Sequence, residues 1–276
     1  MMTMKKRFRF LFFAVAFLCS AAVKASRVDT IKVRSAKMDR DIPVVVVVPD
    51  LALHGQRVPT VYLLHGAGNN HFCWLDIKPE LREMADRDGV MVVCPNGELS
   101  WYWDSPINPK SQFETFVAKE LVRYIDRHYP VINDRKARAI TGLSMGGQGS
   151  LWLAFHHKDV FGAAGSTSGG VDIRPFAGNW GMNEQLGDIK DNKVRWDAFA
   201  LINQVHLVKN GELALIIDCG YQDFFYKVNL AFHEALLKQG VMHDFYVREG
   251  AHCHDYWRNS IDYQWLFFTK FFAQRK

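Results

Sequence analysis

The sequence predicts an α/β fold in which a mostly parallel sheet is covered by helices on both faces. Short β-branched or apolar runs alternate with longer helical patterns along most of the 276 residues, and such alternation is typical of parallel βαβ units. The runs are continuously apolar, which indicates strands that are buried on both faces. No repeat, low-complexity tract or Ser/Gly-rich linker divides the chain, so we expect one domain over residues 26–276.

The elements follow in order. An antiparallel edge is predicted first, from residues 28–38 and 42–48. Further strands are predicted where apolar runs stop, at 60–64, 90–94, 137–141, 161–166, 213–218 and 243–247. Helices are predicted at 75–87, from a Ser111/Glu114 capping box onward, and at 145–157, 225–238 and 256–272. The stretch 171–207 does not follow this alternation of strands and helices. It is either an insertion that forms a partial lid or an ordinary long surface segment.

The first 25 residues have the pattern of a signal peptide. A basic region is followed by an apolar stretch at 10–23 that is short for a membrane span. Val23-Lys24-Ala25 matches the small-x-small cleavage pattern, so we expect the mature chain to begin at Ser26 without a membrane span. An uncleaved anchor and a lipoprotein attached through Cys19 are the alternatives. The expected location is the periplasm or the extracellular space.

The formal net charge of +5 at pH 7 comes from the basic residues of the same segment. The basic residues before Ser26 have no acidic counterpart, and the rest of the chain holds 29 basic and 29 acidic residues. A neutral mature chain lacks the basic surface that nucleic acid requires, so we expect no nucleic-acid partner. Four cysteines remain, and export permits disulfides. Cys219 and Cys253 both follow strands that should be neighbours, which suggests a bridge between them as a hypothesis.

Gly142-Leu143-Ser144-Met145-Gly146 matches the G-x-S-x-G motif, and it lies between a predicted strand and a predicted helix. In that position the serine occupies a tight turn that raises its Oγ above the edge of the sheet. A side chain two residues before or two residues after the serine would collide with its surroundings in this tight turn, so glycine is needed at both positions. The motif therefore predicts that Ser144 is a nucleophile. The alternative is a plain glycine turn packed against the sheet.

A serine nucleophile needs a base, and the base needs an orienting carboxylate, in the chain order Ser, Asp, His for this kind of motif. Asp223 lies on the loop after the strand 213–218, whereas Asp218 lies nearer the strand end and suits a structural acceptor of backbone N–H groups better. Two histidines, His252 and His254, follow the strand 243–247. Together with Cys253 they also suggest a metal site, but adjacent residues on an irregular loop rarely converge on one ion, so such a site would need further ligands such as His65 and His71.

The oxyanion of an acyl-transfer intermediate needs two preorganised donors. The backbone N–H of Met145, the residue after the nucleophile, is one candidate. The second is the N–H of Ala67, in the small-residue loop after strand 60–64. We interpret His65 as a structural residue that braces this loop. Aromatic side chains at Trp101, Tyr102 and Trp180 are expected to contact the substrate, and the alternative is that they pack in the core or in a lid. Trp257 is expected to pack in the core.

An ordered set of motifs resembles the "Putative esterase" family of α/β-hydrolases, which is similar to tributyrin esterases, S-formylglutathione hydrolases, mycolyltransferases, and feruloyl and acetylxylan esterases of carbohydrate esterase family one. The set consists of Leu64-His65-Gly66, Trp101-Tyr102 with Asp104-Ser105-Pro106, Glu114 with Glu120-Leu121, Gly142 to Gly147, Cys219-Gly220 with Asp223, and Gly250-x-His252 with Tyr256-Trp257. The resemblance implies the triad Ser144, Asp223 and His252, without a metal or organic cofactor. It also implies that His254, which replaces an aromatic residue of the family pattern, lines the acyl pocket or faces solvent.

These inferences predict an exported serine esterase whose partner is a small-molecule or polysaccharide ester. By analogy with the resembling family, export favours acetyl or feruloyl esters of plant polysaccharide. Two alternatives are an acyltransferase that passes the acyl group to a sugar, and a catalytically silent carbohydrate-binding protein on the same fold.

Overall fold

The computed structural model describes residues 26–274, so the predicted signal peptide lies outside the described residues. Within this range, eight strands form one sheet. They are β1 (Arg27–Ser35), β2 (Arg40–Val48), β3 (Thr60–Leu64), β4 (Met91–Pro95), β5 (Arg138–Gly142), β6 (Ala163–Thr167), β7 (Ala214–Gly220) and β8 (Asp244–Arg248). Their order is β1-β2-β4-β3-β5-β6-β7-β8, with β1 and β2 antiparallel to their neighbours and the other pairs parallel. The predicted fold class and the antiparallel edge are confirmed.

Alternate side chains of the inner strands enter two separate cores, one on each face of the sheet. In β2, Val44 and Val46 join one core, while Val45 and Val47 join the other. All four are fully buried, which is why the run reads as continuously apolar rather than alternating. Helices cover both faces, and this leaves only the ends of the strands available for a site.

The helices are α1 (Asp50–Leu53), α2 (Cys73–Ile77), α3 (Leu81–Asp88), α4 (Phe113–Thr115), α5 (Val122–His128), α6 (Met145–His156), α7 (Met182–Leu186), α8 (Lys193–Phe199), α9 (Tyr226–Lys238) and α10 (His254–Ala273). A π-helical segment at Phe116–Leu121 joins α4 to α5, and 3₁₀ turns occur at Arg135–Ala137, Arg174–Phe176 and Leu201–Leu207. The core beneath α6 and α9 is separate from the core beneath α2, α3 and α10. Within residues 26–274, no helix is both long and apolar enough to cross a membrane.

Two predicted helix features are wrong. The predicted helix at 75–87 is interrupted between α2 and α3, because Pro79 disfavours helical geometry at Lys78, which has φ −128° and ψ 78°. The capping box is not formed either: α4 begins after Gln112 without a side-chain cap. The Glu114 carboxylate instead accepts hydrogen bonds from Trp152 Nε1 at 2.7 Å and from His157 Nε2 at 2.9 Å.

The stretch 171–207 lies between β6 and β7 and consists of α7, α8 and two 3₁₀ turns. Several of its apolar side chains, among them Met182, Leu186 and Trp196, are fully buried in the core on the α6 face. Trp180 has a positive φ of 46° and is one of its exposed large side chains, at 36%. The segment therefore packs firmly onto the domain and presents Trp180 at its surface.

Candidate active site

Ser144 occupies a sharp turn between β5 and α6. Its backbone has φ 56° and ψ −119°, which is a sparsely populated conformation for a residue with a side chain. A Cβ on Gly142 would lie 2.6 Å from the Leu64 carbonyl oxygen, and a Cβ on Gly146 would lie 2.4 Å from the same oxygen. These contacts are with backbone that cannot move aside, so the close approach of the turn to β3 requires both glycines.

Two loops bring a histidine and a carboxylate to this serine. His252 follows β8 by four residues, and Asp223 follows β7 by three. His252 Nε2 lies 2.9 Å from Ser144 Oγ, and His252 Nδ1 lies 2.9 Å from Asp223 Oδ2. The second oxygen of Asp223 accepts the backbone N–H of Phe225 at 2.8 Å. The buried carboxylate is thus held by its own loop while it faces the imidazole.

Asp218 has a different environment from Asp223. It is buried, and its carboxylate accepts hydrogen bonds from Thr167 Oγ1 at 2.5 Å and Gln264 Nε2 at 2.7 Å, with Ser260 and Arg248 as further partners. The expected structural role agrees with this position, but the expected partners were backbone N–H groups and the observed ones are side chains. Asp218 therefore ties β6, β8 and α10 together behind the triad.

The loop after β3 places Ala67 beside the serine. Ala67 lines the same cavity as Ser144, and a Cβ on Gly66 would lie 3.3 Å from Ser144 Cβ. Within residues 26–274, no acceptor is found for the backbone N–H of Ala67 or for that of Met145. Met145 is the first residue of α6, where an N–H has no partner inside the helix. Among the described residues, neither N–H is thus used by an acceptor of the protein itself.

His65 braces this loop from behind. Its Nδ1–H donates to the Gly66 carbonyl at 2.8 Å, and its Nε2 accepts the Gly97 N–H at 2.7 Å. The Tyr102 hydroxyl accepts the His65 N–H at 3.0 Å and donates to the His65 carbonyl at 3.2 Å. Burial lowers the pKa of His65 to about 4, because a charged imidazole would lose its hydration there. The ring is therefore neutral at pH 7 with the proton on Nδ1.

A cavity of about 190 Å³ opens above the triad. Its aromatic walls are Trp180, Phe224 and Trp257. Phe224 lies with its ring centroid 4.3 Å from that of His252, and Trp180 stacks on Phe224 at 5.5 Å. The sequence interpretation missed Phe224, although its position next to the predicted acid could have indicated it. Trp257 is 6% exposed and packs in the core as expected, but its ring also contacts His252.

Trp101 and Tyr102 are buried rather than presented to the cavity, with exposures of 1% and 0%. Trp101 donates from Nε1 to the Trp180 carbonyl at 3.0 Å and stacks on Trp103, so it supports Trp180 from below. His254 begins α10, is exposed, and lies against Trp257 with ring centroids 5.5 Å apart. Of the predicted substrate contacts, the structure therefore places Trp180 alone in the cavity wall.

The cysteines of residues 26–274 are free thiols. Cys219 is buried in β7, whereas Cys253 is exposed at the start of α10, so the predicted bridge between them is wrong. Among the same residues, no group of three or more His, Cys, Asp or Glu side chains is placed to hold a metal ion.

The chain is similar to several known proteins. Residues 35–268 match the family described as "Putative esterase". An acetyl esterase of Caldicellulosiruptor saccharolyticus is 26% identical over 76% of this chain and 84% of its own length. The diacylglycerol acyltransferase/mycolyltransferase Ag85B of Mycobacterium avium is 34% identical over 58% of this chain and 49% of its own length. The solved structure of a ferulic acid esterase has a TM-score of 0.76 and 27% identity, covering 90% of this chain and 98% of that one.

The fold and these relatives define an enzyme of the carboxylic ester hydrolase class, on the α/β-hydrolase fold. Within that class, the chain belongs to the "Putative esterase" family, whose pattern it matches over most of its length. The chain spans about half of the mycobacterial acyltransferase that it matches.

Proposed function

We propose that the protein is an exported serine esterase that works through an acyl-enzyme intermediate. The unbroken hydrogen-bonded chain from Asp223 through His252 to Ser144 carries this proposal. Ser144 Oγ attacks the ester carbonyl while His252 Nε2 takes its proton, and the same imidazole then returns the proton to the leaving alcohol. Asp223 holds the tautomer that presents Nε2 to the serine and stabilises the imidazolium. Water then releases the acid by the same steps.

The N–H groups of Met145 and Ala67 are proposed to hold the oxyanion. Support comes from their lack of acceptors within the described residues, and from the position of Ala67 in the cavity wall. Met145 is at the amino end of α6, where the helix dipole also favours negative charge. Such donors stabilise charge that develops only in the transition state, so they accelerate the reaction instead of merely tightening substrate binding.

The acyl group is proposed to be acetyl or an aryl acyl such as feruloyl, carried on plant polysaccharide. The named acetyl and ferulic acid esterases support these two groups. The flat faces of Trp180 and Phe224 beside His252 also suit a planar aromatic acid. A screen of acetyl, butyryl and feruloyl esters on the protein from Ser26 onward would rank these groups, and a preference for longer alkyl chains would contradict the proposal.

Export rests on the signal-peptide pattern of residues 1–25, and we propose a periplasmic or extracellular location. The test is secretion of an enzyme fusion that carries residues 1–40, compared with one in which Lys5, Lys6, Arg7 and Arg9 are replaced by glutamate.

Residues 171–207 are proposed to act as a partial lid through Trp180. If the segment were only a surface excursion, Trp180→Ala would leave the kinetics of aryl ester hydrolysis unchanged.

The nucleophile can be tested with p-nitrophenyl acetate. Ser144→Ala should lower turnover by about 10⁴-fold or more while the fold is retained. A fluorophosphonate should label the wild type at Ser144 and leave the variant unlabelled. Ser35→Ala, at the far edge of the sheet, is the matched control and should keep full activity. Equal turnover by Ser144→Ala, with contaminating esterase excluded, would refute the triad.

Substitution of His252 and His254, one at a time, tests which of the two histidines is the base. His252→Ala should nearly abolish turnover of every ester, because its ring contacts both Ser144 and Asp223. His254→Ala should keep substantial activity on a small acetate ester, since His254 is exposed and, within residues 26–274, its ring contact is with Trp257. The opposite outcome would place the base at His254.

An acyltransferase is the second candidate, and the match to Ag85B favours it. It would appear as acylated sugar when products are analysed with a sugar acceptor present, whereas a hydrolase would release free acid. A silent carbohydrate-binding protein would hydrolyse neither p-nitrophenyl acetate nor any of the screened esters.

A further inference from the structure

The loops that carry the acid and the base lie in direct contact. The acid loop, residues 221–225, follows β7, and the base loop, residues 249–253, follows β8. A Cβ on Gly220 would lie 2.6 Å from the Gly250 carbonyl carbon, so the two backbones approach more closely than a side chain at Gly220 would allow. Gly250 itself has a φ of 138°, a conformation that favours glycine. The relative position of the acid and the base therefore depends on how this contact is held.

The regular backbone hydrogen bonds of the sheet end at this contact. β7 and β8 are parallel, with Gly220 paired to Arg248, and the Tyr221 N–H donates to the Arg248 carbonyl at 2.9 Å. The next bond of a parallel ladder would join the Gly250 N–H to the Tyr221 carbonyl. The acid loop turns away instead, with the Asp223 N–H donating to the Gly220 carbonyl at 3.1 Å. The Gly250 N–H therefore needs a different acceptor.

Gln222 supplies that acceptor. Its side-chain Oε1 accepts the Gly250 N–H at 2.7 Å, and its backbone N–H donates to the Gly250 carbonyl at 2.9 Å. The side-chain amide oxygen thus takes the place of a backbone carbonyl in the ladder. Among the described residues, these two are the hydrogen bonds that join the backbone of the base loop to the acid loop. Gln222 lies directly before Asp223, and it holds the base loop two residues before His252.

The other hydrogen bonds of the two loops are local. Asp223 Oδ1 accepts the Phe225 N–H at 2.8 Å, and the Cys253 N–H donates to the Ala251 carbonyl at 2.9 Å. Such bonds fix the shape of each loop but not the distance between the loops. The hydrogen bond of 2.9 Å between Asp223 Oδ2 and His252 Nδ1 spans the two loops. A displacement of a catalytic group by about 1 Å can lower a rate by about 100-fold, so the link through Gln222 matters for turnover.

Gln222 itself stays away from the reacting atoms. It is not among the residues that line the triad cavity, and it is exposed. A substitution there should therefore leave both the cavity wall and the cores unchanged. Any effect on turnover would have to pass through the alignment of Asp223 with His252.

We propose that Gln222 is a positioning residue of the triad, whose side-chain oxygen holds the base loop against the acid loop and keeps His252 aligned with Asp223. The inference rests on the proposed esterase function of Ser144. When His252 takes the proton from Ser144 Oγ, the Asp223 carboxylate stabilises the imidazolium only while the two loops keep their distance. Acylation and deacylation both use this imidazole, so a looser contact between the loops slows both steps.

The experiment removes the acceptor without changing the size of the side chain. Gln222→Met has nearly the same length but offers only a weak acceptor, whereas Gln222→Glu keeps an oxygen that can accept the Gly250 N–H. Gln239→Met is the matched control, because Gln239 is an exposed glutamine at the end of α9 that lies away from Asp223. Hydrolysis of p-nitrophenyl acetate and the melting temperature are measured for the wild type and the three variants.

We expect Gln222→Met to lower kcat about tenfold with KM unchanged. Its melting temperature should fall by no more than about 4 °C, since one exposed hydrogen bond is lost. Gln222→Glu should keep kcat within about twofold of the wild type, and the control should match the wild type. An unchanged kcat in Gln222→Met, or an equal loss in Gln222→Met and Gln222→Glu, would overturn the proposal.

A double-mutant cycle tests whether Gln222 acts through the acid. In the Asp223→Ala background the pair that Gln222 aligns is absent, so Gln222→Met should lower kcat by less than about twofold there. A loss of about tenfold in both backgrounds would mean that Gln222 acts independently of Asp223, and it would overturn the proposal. Full turnover by Asp223→Ala or by Ser144→Ala would instead contradict the esterase mechanism on which the inference rests.

Discussion

His65 makes a quantitative prediction about stability and pH. Its ring is almost fully buried between Gly66 and Gly97, and its pKa in the folded protein is lowered to about 4. In the unfolded chain a histidine has its ordinary pKa of about 6.5. Between these two values the unfolded chain binds one proton that the folded protein does not bind. The free energy of unfolding therefore falls as the pH is lowered through this window.

The size of the effect follows from the two pKa values. Lowering the pH from 7 to 4.5 should remove about 2.5 kcal/mol of stability through His65 alone. His65→Gln retains an acceptor for the Gly97 N–H but loses the hydrogen bond to the Gly66 carbonyl, and it does not titrate. At pH 7 the variant should be less stable than the wild type by about 1 kcal/mol, and at pH 4.5 the order should reverse.

The assay is urea unfolding followed by tryptophan fluorescence at pH 7, 5.5 and 4.5. Because other groups titrate equally in both proteins, the difference between wild type and variant isolates His65. His206→Gln changes an exposed histidine and should follow the wild-type profile. If His65→Gln and the wild type lose stability in parallel across this range, then His65 does not stay neutral in the folded protein and the reasoning fails.

Three further predictions concern the frame of the site. Gly146→Ala should lower the free energy of unfolding by about 3 kcal/mol or more, since the new Cβ would collide with backbone at 2.4 Å. Gly68→Ala should lower it by about 1–2 kcal/mol, because Gly68 has open space around it but a φ of 78°. Thermal unfolding of both variants checks this pair, and equal losses would contradict the steric argument. Asp218→Ala should lower the free energy of unfolding by about 3–5 kcal/mol, because Arg248 is left unpaired. Asp223→Ala should mainly lower turnover, by about 10⁴-fold. If Asp218→Ala lost turnover and Asp223→Ala lost stability instead, the roles assigned to the two carboxylates would be reversed. Trp101→Ala should cost about 3–5 kcal/mol in a denaturant titration, as a fully buried tryptophan, and a loss under 1 kcal/mol would mean that it does not pack as described.

Features that depend on local sterics could be predicted from the sequence. Gly142 and Gly146 lie between an apolar run and a helical pattern, and the structure has the sharp turn at Ser144 that this spacing predicts. Each parallel strand lies within two residues of its predicted bounds, because a strand buried on both faces has to be continuously apolar. The ends of parallel strands meet at one edge of the sheet, so loops after three strands could be expected to bring Ser144, Asp223 and His252 together.

Features that depend on the direction of a side chain in a loop were decided by tertiary structure alone. Glu98, Trp101 and Tyr102 all have positive φ, and this turns the two aromatic rings inward, whereas their place on a polar loop indicated exposure. Phe224 lies in the cavity wall because the backbone of its loop is held by Asp223. The partners of Asp218 come from β6, β8 and α10, which are far apart along the chain. The sequence by itself determined where the strands end and which residue types follow them. Only the packing of distant elements decided which of those side chains face the cavity, because burial and hydrogen bonding in loops depend on long-range contacts that no local pattern records.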